Sequence, residues 1–215
     1  MNRVTMMDFF TRCWKSARLD WLSALLCVLV LTGMPRLGHA EPPLEITQLR
    51  VERADDGLLL YAQIRLDLPT IVDDALHKGI AMYFVMDAEV LRERWYWTDR
   101  KVASASRHLR LSYLPLSRRW RLQTSPQPIG NAGLGVNLSQ SFDSLQEALY
   151  AIQRITRWKI AEASVVDTDA RQTVEFRFKL DMSQMPQPVQ IGTAGQADWA
   201  LAASKPLRLT AETLK

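Results

Sequence analysis

Asp73 and His77 are the first residues in this 215-residue chain whose types and spacing could do chemistry. Four apart on a helix, they would share a face and could ligate a metal together. A metal site needs a third ligand, however, and no second cluster has ligand spacing. Asp74 beside them reads as a solvated acid near a helix start, and His108, among Arg107 and Arg110, reads as a surface residue on a strand. No Gly-x-Ser-x-Gly elbow is present. Two carboxylates suffice for glycoside hydrolysis, yet nothing in the sequence singles out a pair. The run Gly130-x-x-Gly133-x-Gly135 follows no strong strand signal and does not open onto a helix, which argues against a phosphate cradle. Asp167-x-Asp169 lacks the glycine and distal glutamate of a calcium loop, so a plain turn is expected. The chain is therefore read as non-enzymatic, with no catalytic, cofactor or metal residues assigned; a hydrolase is the remote alternative.

Charge carries more information than any motif. Residues 41–91 hold ten acidic and four basic side chains. Residues 92–121 reverse this, with Arg92, Arg94, Arg100, Lys101, Arg107, Arg110, Arg118, Arg119 and Arg121 against Glu93 and Asp99. Trp95, Tyr96, Trp97 and Trp120 are interleaved with these bases. If strands at 93–97, 107–113 and 118–123 are neighbours, alternation puts several arginines on one face with aromatic rings beside them. Such a face attracts polyanions. The competing expectation is that the tryptophans are core and the bases pair with the acids of 41–91 across the sheet.

The elements that must carry these residues are mostly strands. Leu60, Ala62, Ile64 and Leu66 alternate with polar neighbours, as do Val174, Phe176, Phe178 and Leu180. The run Ile80–Val90 is apolar on both faces for most of its length and is predicted to be a central strand. Asp55-Asp56-Gly57 predicts a tight hairpin between strands at 46–54 and 58–67. Leu114-Pro115-Leu116-Ser117 separates the strands at 107–113 and 118–123, and Asp167-Thr168-Asp169 separates strands at 159–166 and 171–181. Ser144 with Glu147 is a capping box, followed by Leu145, Ala148, Leu149 and Ile152 at helical spacing, which predicts a helix over about 144–156. A short helix at about 69–78 is opened by Pro69 and closed by Gly79. Segments 124–140 and 182–196 read as long loops. The expected fold is α+β and β-rich, a single antiparallel β-sandwich-like domain over 41–215.

The N-terminus reads as a cleavable export signal. Arg3, Arg12, Lys15 and Arg18 precede an apolar run from Trp21 to Gly33, and small residues lead to a cut between Ala40 and Glu41. The alternative is an inner-membrane anchor at residues 21–34, although that run is short of the roughly 20 residues of a spanning helix. Cleavage would remove both cysteines, Cys13 and Cys27, so the mature chain could form no disulfide. It would also remove five of the 27 basic and two of the 23 acidic residues, leaving 22 against 21. The basic character of the whole chain then belongs mostly to its leader, and nucleic acid is not an expected partner.

The order of features resembles a family of exported bacterial proteins known as a domain of unknown function. The likeness runs from the strand LLLYAQIRLDLP through DDALHKGIAMYF, RERWYWTDR, LRLSYLPLSRRWRL, SLQEALYAI and VEFRFKLDMSQMPQPV to DWALAASKPLRL. It implies a Gram-negative periplasmic location and genes near a membrane sensor histidine kinase of the nitrogen-regulation type. It implies no functional residues. The expected function is thus a periplasmic binding or accessory module, with a membrane sensor kinase or another envelope protein as partner. The alternative is a binder of anionic envelope lipid or polysaccharide through residues 92–121.

Overall fold

The computed structural model describes residues 42–94, 96, 98–129, 138–165, 171–185 and 199–210, all within the unit Pro42–Lys215. The expected leader and its Ala40–Glu41 cut, Trp95, Trp97 and the Asp167–Asp169 turn lie outside the described residues. Among the described residues no helix is long and apolar enough to cross a membrane.

Among the described residues nine strands form two antiparallel sheets. The smaller has three: β1 (Leu44–Ala54), β2 (Gly57–Leu66) and β7 (Arg154–Ala161), in the order β1-β2-β7. The larger has six: β3 (Met82–Arg92), β4 (Arg100–Leu114), β5 (Arg119–Ser125), β6 (Leu138–Phe142), β8 (Gln172–Leu180) and β9 (Ala202–Leu209). Its order is β6-β5-β4-β3-β8-β9. The strand that is apolar on both faces, β3, lies inside the larger sheet between β4 and β8, as its pattern predicts.

The core lies between the sheets. Met82, Phe84, Met86, Ala88 and Val90 of β3 face inward with Val174, Phe176 and Phe178 of β8, and all are buried. The opposing sheet contributes Leu58, Leu60, Ala62 and Ile64, again buried. Phe84 stacks on Phe178 with ring centroids 5.6 Å apart, and Trp158 meets Phe176 edge-on at 6.3 Å. Full burial of each such side chain contributes roughly 1.5–3 kcal/mol, so a chain of this size can stabilise itself without a covalent staple.

Local chemistry fixes the ends of the elements. In the β1–β2 hairpin Ala54 pairs with Gly57 across Asp55-Asp56. Gly57 has φ +143°, and a Cβ there would fall 2.0 Å from the Ala161 carbonyl oxygen, so only glycine serves. Helix α1 (Thr70–His77) ends in a Schellman motif, with Gly79 N–H donating to Leu76 O (2.9 Å) and Ile80 N–H to Ala75 O (3.0 Å). In β1 the register shifts between Ile46 and Gln48, a bulge that leaves ladder carbonyls unpaired. The Lys205 ammonium of β9 takes them, donating to Ile46 O at 3.1 Å and Thr47 O at 3.0 Å. Pro206 sits beside it on an edge strand, where the missing N–H removes no ladder bond.

Three sequence expectations are corrected. Helix α2 (Leu145–Gln153) starts at its predicted cap, where Ser144 Oγ accepts from Glu147 N–H at 3.2 Å, but it ends at Gln153 rather than 156. Strand β7 begins at once, at Arg154 rather than 159, and Ala163–Val165 is a 3-10 turn. The cause is a bulge. Leu60 pairs with Trp158 and Ala62 with Ile155, which sets two residues, Thr156 and Arg157, opposite the single Tyr61, with Arg157 at φ +49°. Buried Ile155 and Trp158 are thus three apart and continue the helical stripe of α2. Second, the predicted 124–140 loop contains strand residues at both ends, through Ser125 and from Leu138. Third, β3 ends at Arg92, and Glu93, Arg94 and Tyr96 are not strand, so the neighbour of β4 is β3 instead of a strand at 93–97.

Candidate functional site

Strands β4 and β5 pair as expected, and alternation then splits the basic segment between two faces. Inward go Arg107, Leu109, Leu111 and Tyr113 of β4 with Trp120 and Leu122 of β5; outward go Arg110, Ser112, Arg119, Arg121 and Gln123. Trp120 is 4 % exposed and belongs to the core, in contact with Tyr113 and His77 at centroid distances of 4.9 and 5.2 Å. The expectation of its ring beside a basic face is overturned: its neighbours Arg119 and Arg121 point the other way. Lys101 ion-pairs with Glu89 at 2.6 Å, which matches the competing expectation of pairing with the acids of 41–91. Arg119 instead meets Asp143 at 3.0 Å. Arg92 pairs in register with Arg100 at the far end of β3, Arg94 is exposed beyond it, and Arg118 occupies the β4–β5 turn at φ +51°.

The outer face of the larger sheet is therefore divided. Toward β8, Glu89 receives both Lys101 and Arg177 (2.9 Å), and Asp87 accepts from Ser106 Oγ at 2.6 Å. Charges cancel there. Toward β6, Ser112 pairs with Arg121 and Arg121 with Ser141, while Arg110 pairs with Gln123 and Gln123 with Ser139. That wing carries two guanidinium groups, two amide or hydroxyl rows and no carboxylate at those positions. Arg110 lies over the Tyr83 ring at 5.7 Å, which holds it against the sheet.

The inner face of the same wing lines a cleft of about 470 Å³ between β4, β5 and β6 on one side and α2 with β7 on the other. Its floor follows from the register: Leu109 pairs with Thr124 and Thr124 with Leu138, and in the next row Leu122 pairs with Gln140. Its opposite wall is Ala151, Arg154, Ile155 and Trp158. Arg107 reaches into it with its guanidinium carbon 5.0 Å from the Trp158 ring centroid. Burial pushes the Arg107 guanidinium down from its ordinary pKa, although an arginine stays charged. Arg154 Nη1 donates to Tyr150 Oη at 3.1 Å. Among the described residues no aspartate or glutamate lines this cleft. Sequence reasoning missed Arg154 because the predicted helix ran through it, Trp158 because it fell between that helix and the strand predicted from 159, and Leu138 and Gln140 because they sat in a predicted loop.

A larger, more open depression of about 780 Å³ runs over the smaller sheet, with Arg50 over the Tyr61 ring at 5.0 Å. His77 Nδ1 lies 3.4 Å from Asp73 Oδ1, and among the described residues no three metal-ligating side chains gather.

Fold and surfaces together define a β-rich two-sheet α+β domain with a basic wing, carboxylate-free in the rows of Arg110 and Arg121, and an inter-sheet cleft beneath it. The chain belongs to the family DUF4390, a domain of unknown function, whose pattern it matches over residues 41–207. No curated protein and no solved structure matches it.

Proposed function

We propose that the protein is an exported, non-catalytic binding module of the Gram-negative envelope that works by holding an anionic partner. The observation that carries this reading is the outer wing, where Arg110 and Arg121 stand among Ser112, Gln123, Ser139 and Ser141 with no carboxylate in register. Elsewhere on that face Glu89 and Asp87 hold donors of their own sheet, and at the wing's margin Arg119 meets Asp143, whereas in the rows of Arg110 and Arg121 no carboxylate of the described residues stands in register. A flat sheet face of this kind suits phosphates or carboxylates spaced along a surface. The leader, with its basic flank and apolar run, supports a periplasmic site of action. The resemblance to genes beside a sensor kinase supports an accessory role on the outer face of that sensor.

Crosslinking in living cells followed by pull-down separates the partners. A membrane kinase recovered with wild type and lost with R110Q/R121Q supports the accessory role. Lipid or polysaccharide recovered instead, with retention on anionic vesicles that fades as salt rises, supports the envelope-polymer role. Recovery unaffected by R110Q/R121Q overturns the reading of the wing as the binding face.

A further inference from the structure

We infer that the inter-sheet cleft is a binding site for a small single-chain amphiphile with an anionic head, such as a free alkyl carboxylate, with Arg107 holding the head. This goes beyond the outer-wing reading and uses the opposite face of the same strands.

The cleft has the size of a small-molecule site, in the usual range of about 300–1,000 Å³. Its walls are apolar along one direction: Leu109, Leu122 and Leu138 on the sheet, Ile155 opposite. Leu138, 71 % exposed, is a large aliphatic group left at an edge strand where a soluble protein gains nothing by showing it. The polar groups are selective in sign. Arg107 and Arg154 are both cations, and among the described residues no acidic side chain lines the cleft to neutralise either. Among the described residues Arg107 has no ion-pair or hydrogen-bond partner, and its guanidinium lies over the face of Trp158. Stacking fixes the direction of the guanidinium while leaving its in-plane N–H fork for a carboxylate or phosphate, the geometry in which arginine binds anions best. A cation partly stripped of water beside an aromatic ring is incomplete without an anion. Thr124 and Gln140 add hydrogen-bonding groups on the floor. A neutral sterol or a dication meets the wrong chemistry here, and a free phosphate leaves the apolar floor unused. An amphiphile uses both.

The test is calorimetric titration of the purified protein with decanoate, decanol and decyltrimethylammonium, each below its micelle concentration. Decanoate is expected to bind most tightly, with affinity rising about fourfold per added methylene in the homologous series. R107Q is expected to weaken decanoate at least about tenfold and leave decanol unchanged. L138W, a change at an exposed position that does not disturb the core, is expected to weaken both by filling the mouth. R110Q/R121Q on the outer wing is expected to leave decanoate binding intact, so failure of the wing reading and failure of this one are distinguishable. Decanol binding as tightly as decanoate overturns the proposal, as does decanoate binding that survives both R107Q and L138W.

Discussion

Arg107 and Arg110 stand three residues apart on one strand and meet opposite worlds. Arg107 points between the sheets, half-buried, stacked on Trp158 with no acid near it. Arg110 points outward over Tyr83 into a polar row. The two faces of the larger sheet thus solve different problems with the same residue type. The inner face is stabilised by burial of Phe84, Phe176 and Phe178, and on β4 interrupts that burial at Arg107 to admit a cation. The outer face is stabilised by charges that cancel locally around Glu89, and fails to cancel them toward β6. In both cases the departure from the local rule falls on the β4–β5–β6 wing. That coincidence, more than any single residue, is what the two proposals share.

The largest expected effect tests the inner face as the seat of stability. Phe176→Ala removes a fully buried ring that Trp158 meets edge-on, and is expected to cost about 3–5 kcal/mol in urea unfolding. Because Trp158 also carries Arg107, the same variant is expected to loosen the cleft. Glu89→Ala, on the outer face, leaves Lys101 and Arg177 without their shared carboxylate. Both cations are about half exposed and rehydrate, so a loss of about 1 kcal/mol is expected. If that loss matched Phe176→Ala, the contrast between the faces would be wrong. Arg119→Ala removes an ion pair whose Asp143 side chain is 81 % exposed, and should change stability by less than about 0.5 kcal/mol.

The smallest expected effect is a slope. Burial lowers the His108 pKa below its ordinary 6.5, with Lys179 adding to the shift and Asp87 and Asp181 opposing it. The folded protein therefore holds that proton less tightly than the unfolded chain. Its contribution to stability is fully present above the unfolded value and is lost as pH falls through the lowered one. Urea midpoints measured from about pH 7 to about pH 5 should fall less steeply in H108N than in wild type. Equal slopes would mean that His108 is as hydrated folded as unfolded.

Much of this architecture follows from local pattern alone. Alternation in β2 and β8, the two-faced apolar run of β3, the Gly79 stop and the Ser144 cap all act over a few residues, and each is found where the sequence places it. The two-residue hairpin at Asp55-Asp56 is equally local, although the contact that demands glycine at 57 comes from Ala161, a hundred residues downstream. The chain's charge reversal between 41–91 and 92–121 is likewise a sequence property.

Tertiary structure alone decided what those charges face. Alternation says that Arg107 and Arg110 diverge, but which direction is inward depends on the sheet that packs opposite. The bulge at Thr156–Arg157 shows the same limit: spacing cannot distinguish a helical stripe from a strand with one extra residue, because both put apolar groups three apart. Only pairing with β2 turns Ile155 and Trp158 onto one face and brings Trp158 beneath Arg107. The cleft consequently exists in no segment of the sequence, being made where β4, β5 and β6 meet α2 and β7.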